Sequence, residues 1–488
     1  MFPIIDTKQF ENQTDGFGIS DQQTVADINK ALQAGYGTDT AAYSGGSALR
    51  VESLDSTLKI VSFLEKNIIF YNDIPKTKAY NTVEEYNVLS KYGGQGGFFI
   101  NEGGLPRTDD SVYQRKAAFV KFMGTTREIT HPMLLVRPAH GNVVALETKN
   151  GAKWMLQRME EGLFGANSSV ISQAFDGINK QLNAGYGDAT LIGDGVTTPA
   201  NQFVIDLRGA VLTESVFEEV ARILMDNYMY PTHAYMPNSA HTDFNKVFFS
   251  KGRYPIPVNS DATVGFVADA VRTSGGVVKL RPDVFLRIDQ TAPSVADNAL
   301  AASSPASAVV TVQAKSTSRG FQSSEYGSYV YSVCAVSQNG SSAAIAGSAT
   351  AVVAGAGSAE VQIVITRGAV SGNDLTTGYN IYRTRLADGV AGTPYLIAQI
   401  ASAGATTTFL DGNENLPGLG TAYIGQLDES VLTLRELSPM LKFPLATVAS
   451  SIRWMQLYYN TPVIFRPRGW VIVKNIGRLA GQPALGPQ

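Results

Sequence analysis

The spacing of apolar residues changes several times along the 488-residue chain, and each spacing predicts a different kind of secondary-structure element. Residues 143–164 carry apolar side chains near i, i+3 and i+4 spacing, which predicts a helix. The positions of this stripe are Ala145, Ala152, Leu156, Met159 and Leu163. Gly151 interrupts the stripe and is unfavourable inside a helix, so the pattern leaves open whether the helix is continuous.

A second apolar stripe predicts a helix over residues 213–226. Thr213 or Ser215 could cap it, and the spacing of Ser215 and Glu218 fits a capping box. Residues 230–236 then favour a strand, and residues 240–247 a third helix. This alternation of helices and strands indicates an α+β or α/β layered domain.

Residues 79–135 predict a long two-stranded β-hairpin. Apolar residues 83, 86 and 88 lie in one limb and residues 118–120, 122 and 123 in the other. Between them stands the Gly-rich stretch GGQGGFFINEGGLPRTDD, which has the composition of a turn. A hairpin this long has no obvious core of its own, so we expect it to pack on a neighbouring subunit.

From about residue 292 the chain becomes rich in Ala, Ser, Val, Gly and Thr, and short alternating stretches recur at regular spacing. Such punctuation is typical of a β-sandwich, and residues 295–425 are long enough for one immunoglobulin-like domain. The composition of the first 288 residues returns after residue 428, with strands predicted at 432–446, 452–463 and VIVKNIG. The sandwich is therefore predicted to interrupt the main fold, with its two ends close together.

Composition excludes several classes of protein. The hydrophobic fraction is 44%, the charged fraction 17% and the net charge −3, which describes a globular chain without bulk attraction to nucleic acid or anionic membrane. No stretch approaches the roughly 18 apolar residues of a membrane span. The start, MFPIIDTKQF, lacks the pattern of a signal peptide, so synthesis in a cytoplasm is expected. The single Cys334 cannot form a disulfide framework and is interpreted as a buried apolar residue.

No arrangement of residues predicts catalysis, a cofactor or a metal, and we expect the protein not to be an enzyme. His233 and His241 would need a third ligand to hold a metal ion. The GGQGG stretch lacks the Lys-Ser/Thr of a phosphate loop. Two adjacent acid pairs, at 109–110 and 160–161, are interpreted as solvated charge rather than as a catalytic pair.

Charged and aromatic side chains of the predicted hairpin are the candidate contacts between subunits. Four basic residues of the second limb either pair with acids of another subunit or form a charged edge that discourages aggregation. The candidates are Glu84, Glu85, Phe98, Phe99, Glu102, Arg107, Arg115, Lys116, Lys121 and Arg127.

Several stretches, in order, resemble the major capsid proteins of tailed bacteriophages with the Hong Kong 97-like fold. They include GGSALRVESLDSTLKIV (45–61), the hairpin sequence INEGGLPRTDDSVYQRKAAFVKFMGTTREIT, WMLQRMEEGLFGANSSV, LTESVFEEVARILMDNYMYPTHAYMPNSAHTDF and FPLATVASSIRWMQLYYNTPVIFRPRGWVIVKNIG. The likeness covers residues 40–288 and 428–478. The stretches YVYSVCAVSQNGSSA and GYNIYRT resemble a fibronectin type III or immunoglobulin-like module.

The resemblance implies an α+β fold with an inserted all-β domain and a defined order of parts. These are an N-terminal arm (1–50), the first part of a peripheral domain (51–78), an extended loop (79–135), a spine helix with the peripheral domain (136–200), an axial domain (201–290), the inserted domain (291–427) and a return to the axial and peripheral domains (428–488).

The same resemblance implies hexamers and pentamers that form an icosahedral head around packaged DNA, without specific DNA contacts or a membrane. Portal, scaffolding and decoration proteins are the implied partners, and the virion, assembled in the bacterial cytoplasm, the implied location. Two alternatives stay open at this point. One is an encapsulin-type compartment with an enzyme cargo, and the other is a binding protein that uses tyrosines of the β domain to stack on sugars.

Overall fold

A computed structural model describes residues 65–94, 98–136, 141–193, 195–249, 268–315, 319–354, 359–369, 376–446 and 449–479. The predicted arm over 1–50 and the start of the predicted peripheral domain, up to residue 64, lie outside these ranges. The chain divides into a unit of Met1–Val61 with Val136–Val143 and a unit of Ser62–Leu135 with Val144–Gln488. Almost all described residues belong to the second unit, to which the following description applies.

The described residues contain six α-helices. They are α1 (Phe70–Asp73), α2 (His131–Leu135), α3 (Val143–Gly165), α4 (Ile178–Tyr186), α5 (Glu214–Met225) and α6 (Asn238–Phe249).

The β-strands are numbered in chain order. They are β1 (Lys76–Lys78), β2 (Val83–Lys91), β3 (Val112–Phe119), β4 (Lys121–Thr130), β5 (Val204–Asp206), β6 (His233–Pro237), β7 (Ala270–Thr273), β8 (Gly276–Asp283), β9 (Ser307–Ala314), β10 (Gly327–Tyr329), β11 (Tyr331–Ser337), β12 (Gly340–Ser341), β13 (Ile345–Ala346), β14 (Ala351–Val353), β15 (Ala359–Thr366), β16 (Gly378–Arg383), β17 (Tyr395–Ala401), β18 (Thr406–Asp411), β19 (Gly420–Gly425), β20 (Leu432–Pro444), β21 (Ser451–Ile464) and β22 (Trp470–Ile476).

The predicted helix over 143–164 is α3, and it runs unbroken through Gly151. Its buried face includes Met155, Met159 and Leu163, three positions of one apolar stripe. A Cβ atom at position 151 would lie 2.1 Å from Oε1 of Gln456 on β21. The glycine therefore permits a close approach of helix and sheet, which outweighs its low helix propensity.

The helix predicted over 213–226 is α5, but its predicted capping box is wrong. Thr213 occupies the N-cap position without a side-chain cap bond, and its hydroxyl instead lies 2.9 Å from the hydroxyl of Ser215. The Glu218 carboxylate accepts hydrogen bonds from the backbone N–H and the hydroxyl of Ser274. A tertiary partner on the β7–β8 turn has thus replaced the local one.

Two sheets and the helices that cover them share one hydrophobic core. The first sheet has the order β5-β22-β19-β6-β8-β7, and the second has the order β1-β20-β21-β4. Both are mixed, since β6 with β8, β22 with β5 and β1 with β20 are parallel pairs. Aromatic rings fill the centre, where Phe164 of α3 stacks on Phe70 at 4.7 Å and on Tyr423 at 5.7 Å between ring centroids. The packing of helices on mixed sheets makes this part α+β.

The interpretation of residues 79–135 as one hairpin is wrong at its second limb. Strand β2 pairs with β3, whereas β4 pairs along its whole length with β21 of the four-stranded sheet. Between β3 and β4 the chain is fixed at Val120, which is 4% exposed and donates its backbone N–H to the Thr82 carbonyl at 2.9 Å. Lys121 and Arg127 therefore lie in the body of the molecule and not on the hairpin.

Residues 289–419 form a layered β structure with its own hydrophobic cluster. A three-stranded sheet, β18-β15-β9, faces a sheet of order β12-β11-β16-β17 in which β13 also pairs with β11. Strands β10 and β14 form a separate pair. Alternate side chains of the two sheets meet in a shared core, among them Val361, Ile363, Tyr331, Tyr379 and Ile381.

The C-terminal boundary predicted for this segment, residue 427, lies too far along the chain. Residues Gly420–Gly425 form β19, which pairs with β22 and β6 inside the six-stranded sheet of the main fold. A Cβ atom at Gly420 would lie 3.4 Å from Cγ2 of Ile288. The segment 289–419 thus leaves and re-enters the main fold at adjacent points.

Candidate functional site

The hairpin of β2 and β3, residues 83–119, has its register fixed from Val83↔Phe119 to Lys91↔Val112. A shift near Leu89 interrupts the pairing. No side chain of the hairpin belongs to a buried hydrophobic cluster in the part of the chain that the structure describes. An isolated two-stranded hairpin is at best marginally stable in water, so its contacts elsewhere decide its position.

Three contacts hold the base of the hairpin on the body. The Tyr86 ring meets Phe465 edge-on, with 4.8 Å between ring centroids. Glu84 lies 3.8 Å from Arg435, and the Lys116 ammonium lies 2.7 Å from the Asp188 carboxylate. Hydrogen bonds from Lys116 and Thr190 lower the pKa of Asp188 to about 2, so this carboxylate is charged at every ordinary pH.

The hairpin tip, which we define as residues 92–111, exposes large apolar side chains. Phe98 is 82% exposed, Phe99 is 85% exposed and Leu105 is 94% exposed. The two phenylalanine rings lie 4.1 Å apart and form one apolar surface. Exposed apolar patches of this kind mark contact sites with other molecules.

The charged candidates have partners within their own chain. Arg115 lies 3.4 Å from Glu85 across the two strands, and Arg107 lies 3.9 Å from Asp109. In the body, Lys121 donates to the Ser172 carbonyl at 2.6 Å. Arg127 lies 3.4 Å from Glu147 of α3. Glu102 is exposed at the tip.

A second apolar surface lies on the four-stranded sheet, on the face that α3 does not cover. We call it the sheet face; it consists of Phe122, Leu441, Phe443, Met455, Leu457 and Tyr459, which the strand register places on one side. The Phe122 side chain is 61% exposed and Phe443 is 42% exposed. The opposite side turns Trp454, Gln456 and Tyr458 inward, and Gln456 donates to the Thr148 carbonyl of α3 at 2.7 Å.

Sequence reasoning missed part of both surfaces. Leu105, Tyr92 and Tyr113 are among the exposed apolar side chains of the hairpin. Phe443 lies beyond the predicted hairpin in β20, and only the pairing of β20 with β21 places it next to Met455. The signal for Leu105 was its position beside a proline in a Gly-rich turn, where no core could cover it.

The β segment 289–419 rests on the loop that follows α3. Val170 of this loop is 5% exposed and packs with Cys334, Val336 and Tyr382. Asn475 of β22 donates to the Glu414 carbonyl at 3.0 Å and accepts from the Leu416 N–H at 2.8 Å. The expectation that Cys334 is a buried apolar residue is confirmed, since the side chain is fully buried and its thiol lies 3.7 Å from the Tyr382 hydroxyl.

The tyrosines proposed to stack on sugars are mostly inside the β segment. Tyr329, Tyr331, Tyr379 and Tyr382 are all buried. Tyr395 is half-buried beneath the Arg385 guanidinium, 4.4 Å from its ring centre. Tyr326, the sixth of these tyrosines, is half-buried against the same hydrophobic cluster. The six side chains form no exposed aromatic platform.

The described residues contain no cluster of three or more His, Cys, Asp or Glu side chains that could hold a metal ion. His233 lies 3.0 Å from the Thr232 hydroxyl, and His241 lies 3.0 Å from the Ala268 carbonyl. Asp243, their acidic neighbour, pairs with Arg478 at 2.7 Å. Among the described helices, none is long and apolar enough to cross a membrane.

No protein-family model matches the sequence. The putative major capsid protein of Enterococcus phage phiEF24C is 25% identical over 467 residues, covering 93% of this chain and 95% of that protein. The major capsid protein of Staphylococcus phage K is 25% identical over 466 residues, covering 93% and 96%.

One solved structure that resembles this chain is the capsid of an empty GTA particle, with a TM-score of 0.47 and 7% sequence identity. The match covers 90% of this chain and 99% of the capsid chain. The SrpI encapsulin of Synechococcus elongatus PCC 7942 has TM-score 0.36, 10% identity and coverage of 88% and 95%. The two sequence matches alone make the chain similar, along almost its whole length, to phage major capsid proteins.

Proposed function

We propose that this chain is the major capsid protein of a tailed bacteriophage and that it builds the icosahedral head that encloses the DNA genome. The observation that carries the proposal is the similarity to phage major capsid proteins over 93% of the chain. The match runs almost end to end, so it includes the body, the hairpin and the β segment together. The role is structural and not enzymatic.

In this proposal the main fold is Hong Kong 97-like. Helix α3 is the spine helix, the four-stranded sheet belongs to the peripheral domain, and the six-stranded sheet belongs to the axial domain. The segment 289–419 is the inserted immunoglobulin-like domain. Its two facing sheets and its separate hydrophobic core support this assignment.

The hairpin is the proposed contact between copies, and its partner is the sheet face of a second copy. Phe98 and Phe99 offer a paired aromatic surface at the tip, and Phe122 and Phe443 offer an apolar surface on the body. Burying one phenylalanine side chain contributes about 1.5–3 kcal/mol. Because tip and face are different surfaces of one chain, the contact is head-to-tail, and its repetition closes a ring when the rotation between copies divides a full turn.

The rings would be hexamers and pentamers, joined into a shell in the cytoplasm of a bacterial host. Portal, scaffolding and decoration proteins are the proposed partners of such a shell. DNA is held inside without sequence-specific contacts, and no membrane takes part. The net charge of −3 agrees with a protein that does not bind DNA through bulk charge.

For the inserted domain we propose a stabilising role on the shell surface. Its contacts with Val170 and Asn475 fix it on the body, and this supports a brace more than a freely tethered receptor. Binding of a host surface or a glycan through stacked tyrosines has less support, because four of those tyrosines are buried.

Electron microscopy of the purified protein tests the proposal. The chain is expressed alone and together with its scaffolding protein, and shells of uniform size are expected. Finding only monomers under both conditions would contradict an assembly role. Nuclease-protected DNA in shells from infected cells separates a phage head from a compartment with protein cargo.

A further inference from the structure

Glu160 lies near the C-terminal end of α3 and is fully buried, although its neighbour Glu161 is partly exposed. Its carboxylate accepts three backbone hydrogen bonds from the start of α1. Oε1 accepts from the N–H groups of Ile69 at 2.9 Å and Phe70 at 2.6 Å, and Oε2 accepts from that of Tyr71 at 2.8 Å. The first N–H groups of a helix have no partner within it, so this carboxylate satisfies them. One side chain of α3 thus binds the backbone of residues 69–71, beside the core contact that Phe70 makes with Phe164.

A second buried carboxyl faces Glu160. Asp283, at the end of β8, is 1% exposed, and its Oδ1 accepts from the Phe285 N–H at 2.8 Å. Its Oδ2 is buried and finds no donor among the described residues. The two side chains are within hydrogen-bond reach of each other. One proton shared between them would supply the missing donor, whereas two ionised carboxylates would repel each other in this buried site.

The surrounding charges cannot neutralise a second negative charge. From α1, Asp73 faces the site, and from β8, Arg281 lies 3.1 Å from Asp73 and is matched by it. From β6, the Tyr235 hydroxyl lies 3.2 Å from Asp73. His233 of the same strand has its pKa lowered by desolvation and stays neutral near pH 7.

On α3 itself, Glu161 pairs with Arg158 at 3.0 Å and lies 3.9 Å from Arg287. Among the described ion pairs, none includes Glu160 or Asp283. Burial, followed by the nearby Asp283 charge, raises the pKa of Glu160 from 4.5 to about 8. Burial also raises the pKa of Asp283.

We propose that Glu160 and Asp283 form a proton-operated lock that holds residues 65–73 against helix α3. With one shared proton the lock is closed. When residues 65–73 lift away, water reaches both carboxyls, both ionise, and the proton is released. Residues 65–73 connect the body to the first 64 residues of the sequence, so the lock sets how firmly that connection is held. The inference does not depend on the proposed role in a capsid.

The sign of the pH dependence follows from this linkage. Because the closed form binds one proton more than the open form, opening becomes easier as pH rises. The effect spans the interval between the ordinary pKa of 4.5 and the raised value of about 8, and it levels off above that. Each pH unit within the interval changes the opening constant about tenfold.

Hydrogen exchange on the unassembled full-length chain tests the lock. After correction for intrinsic exchange, protection of the amides of residues 69–71 should fall about tenfold per pH unit from pH 5 to pH 8. The D283N variant supplies a permanent N–H donor to Glu160 and leaves its three backbone bonds intact. Its protection should fall less steeply over the same range, because the Asp283 contribution to the raised pKa of Glu160 is lost while the contribution of burial remains.

Two further variants complete the test. E160Q removes the acid from the other side and should likewise give a shallower profile than the unaltered chain, which covers the case that D283N does not fold. E161Q changes the adjacent carboxyl, which is paired with Arg158, and should follow the unaltered chain. Amides of β22, in the six-stranded sheet of the body, report global opening in the same sample. Protection at 69–71 that does not vary with pH, or that falls as steeply in D283N and E160Q, would overturn the proposal.

Discussion

Val170, in the loop after α3, lies directly against Gly378 of β16: a Cβ atom at position 378 would be 2.6 Å from Cγ1 of Val170. Only a glycine lets the β segment approach this loop so closely. Around this contact Cys334, Val336 and Tyr382 close over the valine. The segment 289–419 thus packs on the main fold through complementary shape. Its removal exposes apolar surface on the loop after α3, and the same contact covers apolar surface of the segment.

Shortening the Val170 side chain should weaken the packing of this segment on the main fold. V170A removes two buried methyl groups, and we expect a loss of about 1–2 kcal/mol in the free energy of unfolding, measured by urea titration. V309A is the matched control, because Val309 is 43% exposed on the outer face of β9 and should cost less than about 0.5 kcal/mol. Equal effects of the two variants would show that Val170 does not hold the segment.

The position of β19 decides where the β segment can be removed. Replacing residues 293–413 by a Gly/Ser linker keeps β19 and the backbone partners of Asn475, Glu414 and Leu416. We expect folded but less stable protein, because Val170 becomes exposed. Replacing 295–425 also removes β19 from between β22 and β6, and we expect no soluble protein. Solubility and circular dichroism distinguish the two; equal yields would place β19 outside the essential sheet.

The hairpin tip should matter for assembly and not for folding. In F98S/F99S, two side chains more than four-fifths exposed become polar, so the free energy of unfolding should change by less than about 0.5 kcal/mol. Shell formation, scored by electron microscopy, should be lost, as it should be when residues 93–106 are deleted. F122S on the sheet face should have the same effect.

Y80S is the control for these variants, because Tyr80 is 82% exposed and lies outside both the tip and the sheet face. It should assemble normally. Normal shells from F98S/F99S would remove the tip from the contact. If F98S/F99S forms no shells but F122S assembles normally, the tip remains a contact between copies. The sheet face is then not the surface that the tip contacts.

The ion pair of Lys116 and Asp188 should hold the hairpin base only while the carboxylate is charged. K116M should cost about 0.5–1 kcal/mol at pH 7, the range of a partly exposed pair. The lowered pKa of Asp188 means that this contribution is present above its ordinary value of 3.8 and is lost as pH falls towards 2.

The measurement is the difference in urea midpoint between K116M and the unaltered chain at pH 7 and near pH 2. It should be much smaller at the lower pH, where about half of the Asp188 carboxylates are protonated. R107M is the control, since Arg107 is exposed and 3.9 Å from Asp109, and it should have little effect at either pH. A difference for K116M that persists near pH 2 would mean that Lys116 acts through packing and not through its charge.

The local pattern of apolar and polar residues predicts α3, α5, α6 and most of the strands, because the periodicity of a helix or a strand depends on neighbouring residues. It cannot reveal which sheet a strand joins. Apolar residues continue from Phe119 to Phe122 although β3 and β4 belong to different sheets, and β4 pairs with a strand more than 300 residues away in the sequence. The same limit explains why the predicted end of the β segment, 427, is misplaced.

The sequence also does not allow the burial of a single polar side chain to be predicted. The adjacent acids 160 and 161 are the same residue type, and the interpretation of both as solvated charge is wrong for Glu160. Its environment is created by α1 and β8, which lie about 90 residues before it and 120 residues after it in the sequence. The apolar tip of the hairpin is predictable because no neighbouring sequence could cover it.

The glycine in the middle of α3 provides a test in which helix propensity and packing oppose each other. Alanine at position 151 should favour the helix by about 1 kcal/mol. Its Cβ would however lie 2.1 Å from Oε1 of Gln456, and overpacking of this kind costs about 1–3 kcal/mol. We therefore expect G151A to lower the free energy of unfolding, measured by urea titration, because the buried Gln456 amide must turn away and lose its hydrogen bond to the Thr148 carbonyl.

Two comparisons separate the causes. G165A changes a glycine of the same helix with open space around it, and it should not destabilise through a clash. In a Q456A background the obstructing amide is gone, so adding G151A should become neutral or stabilising; the double-mutant cycle then gives a coupling of about 1–3 kcal/mol between the two positions. A G151A cost that is unchanged in the Q456A background would show that the glycine serves the helix backbone itself and not the approach of the sheet.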